Sequence, residues 1–141
     1  MRLARLVINA RVSAVGIDLA AGALGIPADI RRVGWWRDGA APGDRAGTVL
    51  LAGHVDSAKE GAGAFYALKS ARRGDVVALR AGGRRFRYRV TSVRRVRKRA
   101  LPAGIYSRRG RPRLVLVTCG GPFDARAGHY RDNFIVTARP V

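Results

Sequence analysis

The chain has 141 residues, a length that predicts one domain spanning 1–141. Apolar residues make up 48% of it, which is enough for an ordinary core and excludes a disordered chain. Its single cysteine, Cys119, excludes an intramolecular disulfide framework. The net charge is +19, from 28 Lys and Arg against 9 Asp and Glu, and such a charge attracts anions without identifying one.

No segment is long and apolar enough to predict a transmembrane helix. The most apolar window, Val12–Ile26, is interrupted by Asp18 and three glycines and falls short of the roughly 20 residues that a span needs. It also lacks the residue order of a signal peptide. If the protein works outside the cell, its targeting segment is expected upstream of this sequence.

In chain order, short apolar runs separated by Gly, Pro and Asp predict a mainly β fold. The predicted strands are Leu6–Ile8, Val12–Ile17, Thr48–Ala52, Val76–Arg80, Arg84–Val96, Leu114–Thr118 and Asn133–Ala138. Residues 27–47 and 97–113 are rich in turn residues and predict long connections, and Ala64–Ala71 is the best helix candidate. Many short strands with one minor helix favour a closed or nearly closed β-barrel.

One predicted strand carries a regular row of positive charge. In Arg84–Val96, Phe86, Tyr88 and Val90 alternate with Arg85, Arg87 and Arg89. This period of two indicates one face on the core and one in water. The simplest interpretation of the arginines is a solvated face.

Cys119 and Arg131 are the first candidates for chemistry. Cys119 ends a dense apolar run, which Gly120-Gly121-Pro122 is predicted to stop, and Arg131 lies two residues before the last predicted strand. If these two strands pair antiparallel, Cys119 and Arg131 come close together at one end of the sheet. A cation beside a cysteine favours the nucleophilic thiolate, and a guanidinium can donate hydrogen bonds to a developing oxyanion. The alternative is that Cys119 is a small buried hydrophobe.

His54 occupies the same kind of position, because it follows the buried strand Thr48–Ala52 and a glycine. A cysteine nucleophile needs an acid/base partner, and histidine is the usual one near neutral pH. His129 is the rival base, ten residues from Cys119. Asp56 has two open interpretations: it could orient His54, or it could form a turn with its own backbone.

Three separate segments resemble the signature segments of sortases, which are cysteine transpeptidases of Gram-positive bacteria. They are "LAGHVDS" at 51–57, "LVTC" at 116–119 and "GHYRDN" at 128–133. The form "TCGGPFD" before "GHYRDN", with "VGWWRDGAAPG" upstream of "LAGHVDS", is most similar to the class F sortases of actinobacteria. The resemblance runs from about Val7 to the C-terminus, and the segments agree in order and spacing.

The resemblance implies an eight-stranded sortase-type β-barrel with one or two short helices. It implies His54 as the catalytic histidine, Cys119 as the nucleophile, Arg131 as the catalytic arginine and Thr118 as a substrate-binding residue. Enzymes of the family cleave an LPXTG-like sorting signal between Thr and Gly through a thioester acyl-enzyme. They then transfer the acyl group to an amine acceptor of peptidoglycan or pilin.

Partners and location follow from the same resemblance. The expected state is a monomer on the extracellular face of the membrane, held by an N-terminal anchor that this sequence lacks. No cofactor or metal is expected, because one Cys and two His offer no ligand pair at zinc spacing and no acidic cluster suggests calcium. The rival interpretation is a small basic β-barrel that binds nucleic acid or another polyanion, with affinity that falls steeply with salt.

Overall fold

The computed structural model describes residues 2–3, 10–18, 23–24, 26–57, 60–97, 103–124, 126 and 129–141. Its strands are β1 (Arg2–Leu3), β2 (Val12–Val15), β3 (Ile17–Asp18), β4 (Ala23–Leu24), β5 (Val33–Trp36), β6 (Thr48–Gly53), β7 (Asp56–Ser57), β8 (Gly61–Ala62), β9 (Val76–Ala81), β10 (Arg84–Arg97), β11 (Arg113–Asp124) and β12 (His129–Pro140). Two 3-10 helices span Tyr66–Ser70 and Ala103–Tyr106. No helix in these ranges is long and apolar enough to cross a membrane.

Eight strands form one curled sheet in the order β1-β9-β10-β12-β11-β6-β5-β2. Two small ribbons, β3 with β4 and β7 with β8, complete the strands of the described part. Neighbouring strands in the large sheet pair antiparallel, except that β11 runs parallel to β6 and β2 runs parallel to β5. The described residues form a mainly β fold with eight strands in the large sheet and two short helices, which confirms the fold predicted from the sequence.

The centre of the sheet is buried on both faces, which explains the unbroken apolar run of β11. Leu114 and Leu116 pack into the main core cluster, where both are fully buried. Val115 points the other way, into a second apolar cluster. The second apolar cluster consists of Trp36, Leu50, Ile105, Val115 and Ile135, with Val96, Tyr106 and Val117 packed against it. A strand with apolar residues at successive positions is what a doubly covered sheet needs.

The predicted connection over residues 27–47 is wrong in one part, because it contains strand β5. This strand lies between β2 and β6, and Trp35 is directly opposite Leu51 of β6. Gly34 permits the close approach of neighbouring segments, since a Cβ there would lie 3.0 Å from both the Pro27 ring and a Val15 methyl group. The turn residues around "VGWW" hid a strand of only four residues.

Two further predictions need correction. Gly120-Gly121-Pro122 does not stop the strand at Cys119, because β11 continues to Asp124 through an irregularity in register. The predicted helix over Ala64–Ala71 is a 3-10 helix over Tyr66–Ser70, and Leu68 is its buried residue. The strand predicted at Leu6–Ile8 lies outside the described residues.

Candidate functional site

The predicted site residues belong to three neighbouring strands, β6, β11 and β12. The parallel register of β6 and β11 ends with Ala52 opposite Val117. His54 follows β6 at the same end of the sheet at which Cys119 lies in β11. Extending this register by two residues places position 54 beside position 119. Two segments that are distant in the sequence therefore meet at the same end of the sheet.

Cys119 lies within β11, directly opposite Asn133 of β12. The two strands pair antiparallel, as predicted. Their register is regular up to Gly120, which is opposite Asp132, and it is displaced by one residue before Phe123. A β-bulge of this kind bends its strand and increases the local twist, and bulges are frequent beside active sites. The backbone of β11 therefore bends between Gly120 and Phe123, starting one residue beyond Cys119.

Arg131 lies in β12, two residues from Asn133 and opposite the bulge. Asn133, rather than Arg131, is the direct cross-strand neighbour of Cys119. Arg131 occupies the position diagonal to Cys119 in the register. The rival base His129 pairs with Asp124, beyond the bulge.

The imidazole of His54 is half-buried and is held by a backbone carbonyl from a distant part of the chain. His54 Nε2 lies 3.0 Å from the carbonyl oxygen of Pro27. Because a carbonyl only accepts, Nε2 must carry the proton in this hydrogen bond. Nδ1 is then the nitrogen that can gain or lose a proton without breaking the bond. This contact could not be predicted from residue types, because every residue has a backbone carbonyl.

The backbone of His54 is also held by hydrogen bonding to the segment that leads into the first 3-10 helix. The Phe65 amide donates to the His54 carbonyl oxygen at 3.1 Å. Gly63 lies against the same carbonyl, and a Cβ at that position would overlap it. Only glycine fits there without a shift of the loop that carries His54. Asp56, the suggested orienting carboxylate, lies two residues on, in β7.

A side-chain hydrogen bond joins the residues that directly precede Cys119 and His54. Thr118 is 3% exposed, and its Oγ1 donates to the carbonyl oxygen of Gly53 at 2.8 Å. Thr118 precedes Cys119 and Gly53 precedes His54. The bond therefore fixes β11 to β6 one residue beyond their last backbone pair, at the point where both chains reach the edge of the sheet.

The second apolar cluster extends from this edge along the same face of the sheet. By strand alternation, position 119 shares that face with Val115 and Val117. Ile105 and Tyr106 of the second 3-10 helix cover the face, and Tyr106 meets the Trp36 ring edge-on at 5.2 Å. Burial raises the pKa of the Tyr106 phenol. Trp36 is 5% exposed, which agrees with packing rather than with a tryptophan that lines an open groove.

Comparison with protein families identifies the fold. The model of the family described as the sortase domain matches residues 4–141. The chain therefore belongs to the sortase family. This membership leaves the rival interpretation, a nucleic-acid-binding barrel, without support. A comparison with curated proteins gave no match.

Solved sortase structures share the fold at low sequence identity. Sortase C1 from Streptococcus agalactiae is 18% identical with a TM-score of 0.74, over 99% of this chain and 64% of its own. Sortase C-1 from Actinomyces oris is 22% identical with a TM-score of 0.64, over 79% and 59%. A sortase D5 transpeptidase from Clostridium perfringens is 14% identical with a TM-score of 0.70, over 99% and 75%. The chain thus spans about three fifths to three quarters of the length of these proteins.

Proposed function

We propose that this sortase-family chain is a cysteine transpeptidase that acts on an LPXTG-like sorting signal, cleaving it between Thr and Gly. Cys119 is the nucleophile, His54 the acid/base and Arg131 the oxyanion donor. The observation that carries the proposal is that Cys119 and His54 lie at the same end of two neighbouring parallel strands, β11 and β6. The hydrogen bond from Thr118 to Gly53 holds that edge together.

The proposed reaction has two halves. In the first, the Cys119 thiolate attacks the carbonyl carbon of the signal's Thr, and the C–N bond to Gly breaks. The Gly amine leaves with a proton donated by His54, and the acyl group stays on sulfur as a thioester. In the second, an acceptor amine attacks the thioester, gives its proton to His54 and releases Cys119. The hydrogen bond of Nε2 to Pro27 supports Nδ1 as the atom that exchanges this proton.

Arg131 supplies positive charge to the negative oxygen that forms in both halves. Its diagonal position relative to Cys119 in the antiparallel pair supports this role. A guanidinium donor placed at a developing oxyanion lowers the barrier of each half-reaction, because it makes stronger hydrogen bonds to the transition state than to the neutral carbonyl.

Thr118 was predicted to bind substrate, and its buried hydroxyl supports a different role. Since Oγ1 already donates to Gly53, we assign Thr118 as a positioning residue that holds Cys119 level with His54. The two roles differ in their kinetics: a positioning residue affects kcat, and a substrate-binding residue affects KM.

We propose class F for the subtype of this sortase. The "VGWWRDGAAPG" and "TCGGPFD" segments support class F, whereas the solved relatives named above are class C and D enzymes. The proposed acceptor is an amine of peptidoglycan or pilin. The proposed location is the extracellular face of the membrane, with an N-terminal anchor outside this sequence and a monomeric, single-domain catalytic unit.

Cleavage of LPXTG-like peptides tests the proposal. The parent protein should cleave such a peptide and, with an added amine, should yield the transferred product. Cys119→Ala should abolish both reactions while the thermal unfolding temperature stays close to the parent value. Cys119→Ser is the matched control, since it keeps an oxygen nucleophile of similar size. Peptide cleavage by Cys119→Ala at the parent rate would refute the proposed nucleophile.

A further inference from the structure

Five exposed arginines lie on one face of the sheet formed by β9, β10 and β12. These five, here called the arginine face, are Arg80, Arg85, Arg87, Arg89 and Arg139. The three on β10 alternate with the buried-side residues, so they repeat every two residues, or about 6.7 Å. In the register of β1 with β9, Arg2 is opposite Ala78, a residue two positions before Arg80 in β9.

Like charges stand directly opposite one another on this face. Arg80 pairs with Arg85 across β9 and β10, and Arg89 pairs with Arg139 across β10 and β12. Directly opposed residues have Cβ atoms only about 4.5–5.5 Å apart, and like charges at that separation are destabilising. Arginines scattered over a surface would rarely form two such opposed pairs on neighbouring strands, with Arg87 between the pairs.

Asp44 lines one cavity with Arg85 and Arg87, but its carboxylate accepts a hydrogen bond from the Ala41 amide and makes no ion pair with the arginine face in the part of the chain that the structure describes. None of its five members forms an ion pair there, although Arg95 does so with Asp132 at the other end of β10. Arg139 donates only to backbone carbonyls, those of Arg111 and Pro112, at 3.3 and 3.4 Å. Its charge also contributes to a lowered pKa of nearby Arg113, after burial as the larger cause.

The arginine face is separate from the proposed active site. Arg139 lies six residues along β12 from Asn133, the residue opposite Cys119, which corresponds to roughly 20 Å. The substitutions that test the face therefore leave the catalytic residues untouched. One exposed hydrophobic residue, Val141, lies beside the face, because its amide donates to the carbonyl oxygen of Arg87. A single valine does not form the apolar side that accompanies basic residues on membrane-binding surfaces.

We propose that the arginine face binds a linear phosphate-bearing polymer. The row on β10 offers guanidinium groups at a constant interval to phosphates spaced along an extended chain. Arg80 and Arg139 flank the row and widen the contact. Each guanidinium can donate two parallel hydrogen bonds to a phosphate, and the polymer supplies the negative charge that the face lacks. This binding would come in addition to peptide processing and does not depend on Cys119.

Binding of short-chain linear polyphosphate, measured by calorimetry over a range of salt concentrations, tests this inference. The triple variant Arg85→Gln/Arg87→Gln/Arg89→Gln should weaken binding at least about tenfold, a factor that corresponds to ~1.4 kcal/mol. The slope of log affinity against log salt should fall by about 2, since each lost phosphate contact contributes roughly 0.7.

The matched control removes the same charge from exposed arginines beside β2 and β5, in Arg11→Gln/Arg31→Gln/Arg37→Gln, and β5 is four strands away from β10 in the sheet. This control should leave the affinity within about threefold, because charges farther away than the Debye length are screened. The face variant should unfold at a temperature no lower than the parent, because it removes opposed like charges. Unfolding well below the parent would overturn that argument, and Arg87→Gln alone then measures the contact in a folded protein.

Three outcomes would overturn the proposal: no saturable polyphosphate binding, equal losses in the face and control variants, or loss of binding to phosphatidylglycerol vesicles without any loss toward polyphosphate. The last outcome would assign the face to a membrane. Retained polyphosphate binding by Cys119→Ala is expected and supports the independence of the two sites.

Discussion

Removal of the Thr118 hydroxyl tests how the two catalytic segments are held together. Thr118→Val keeps the shape of the side chain but takes away the donor that reaches Gly53 O at 2.8 Å. Because the site is almost fully buried, the loss should cost about 1–2 kcal/mol, the range for a buried hydrogen bond whose partner remains. For a chain of this length, Tm should then fall by roughly 3–8 °C.

The kinetic effect separates a positioning role from contact with the substrate. If Thr118 holds Cys119 level with His54, Thr118→Val should lower kcat by about tenfold or more with little change in KM, because a small misplacement of reacting groups is costly. Thr118→Ser keeps the hydroxyl and should restore most of both Tm and kcat. Peptide cleavage kinetics and thermal unfolding of the two variants provide the assay. An unchanged kcat with a raised KM in Thr118→Val would refute the positioning role and favour substrate binding.

Three further predictions follow from the surroundings of His54. His54→Ala should abolish peptide cleavage, whereas His129→Ala should keep most of it; the reverse result would make His129 the base. Long-range proton–nitrogen NMR of the neutral His54 ring should show the proton on Nε2, because the Pro27 carbonyl oxygen accepts a hydrogen bond from it. A proton on Nδ1 would contradict the proposal that Nδ1 exchanges the proton during catalysis. Gly63→Ala should lower the free energy of unfolding by about 1–3 kcal/mol in thermal unfolding, because the added Cβ overlaps the His54 carbonyl. The control Gly104→Ala should stay within about 0.5 kcal/mol of the parent, because the nearest atom to its added Cβ is 3.7 Å away. Equal losses of stability in the two variants would refute the steric argument.

Strands with a strong pattern were predictable from the sequence. Thr48–Ala52 and Leu114–Thr118 were found because buried central strands are apolar at successive positions. Arg84–Val96 was found because a half-buried strand alternates with period two. Strand β5 was missed because it has only four residues between turn-forming segments, and its strand character comes from packing between β2 and β6.

The bulge after Cys119 was misjudged for a physical reason. Two glycines and a proline weaken a regular ladder, which favours the prediction of a stop. In the structure the neighbouring strand β12 continues to pair on both sides of the irregularity, so the ladder resumes at Phe123. Local propensity does not report a partner strand that arrives from later in the chain.

The edge at which Cys119 and His54 meet could be approximated from the sequence, because the ends of neighbouring strands gather at one edge of a sheet. The atoms that hold His54 and Cys119 in place could not be predicted from the sequence. Pro27 acts through its carbonyl oxygen and Gly53 does the same, and every residue type has that group. The direction of the Thr118 hydroxyl likewise depends on the parallel pairing of β11 with β6, which motif spacing does not specify.

Intact-protein mass spectrometry during incubation with an LPXTG-like peptide tests the central claim most directly. The parent protein should gain the mass of the peptide's acyl fragment ending at Thr, and peptide mapping should locate it on Cys119. The adduct should disappear when a strong amine nucleophile is added, and it should be absent from Cys119→Ala. Cleavage without any adduct on Cys119, or an equal adduct on Cys119→Ala, would contradict the thioester mechanism.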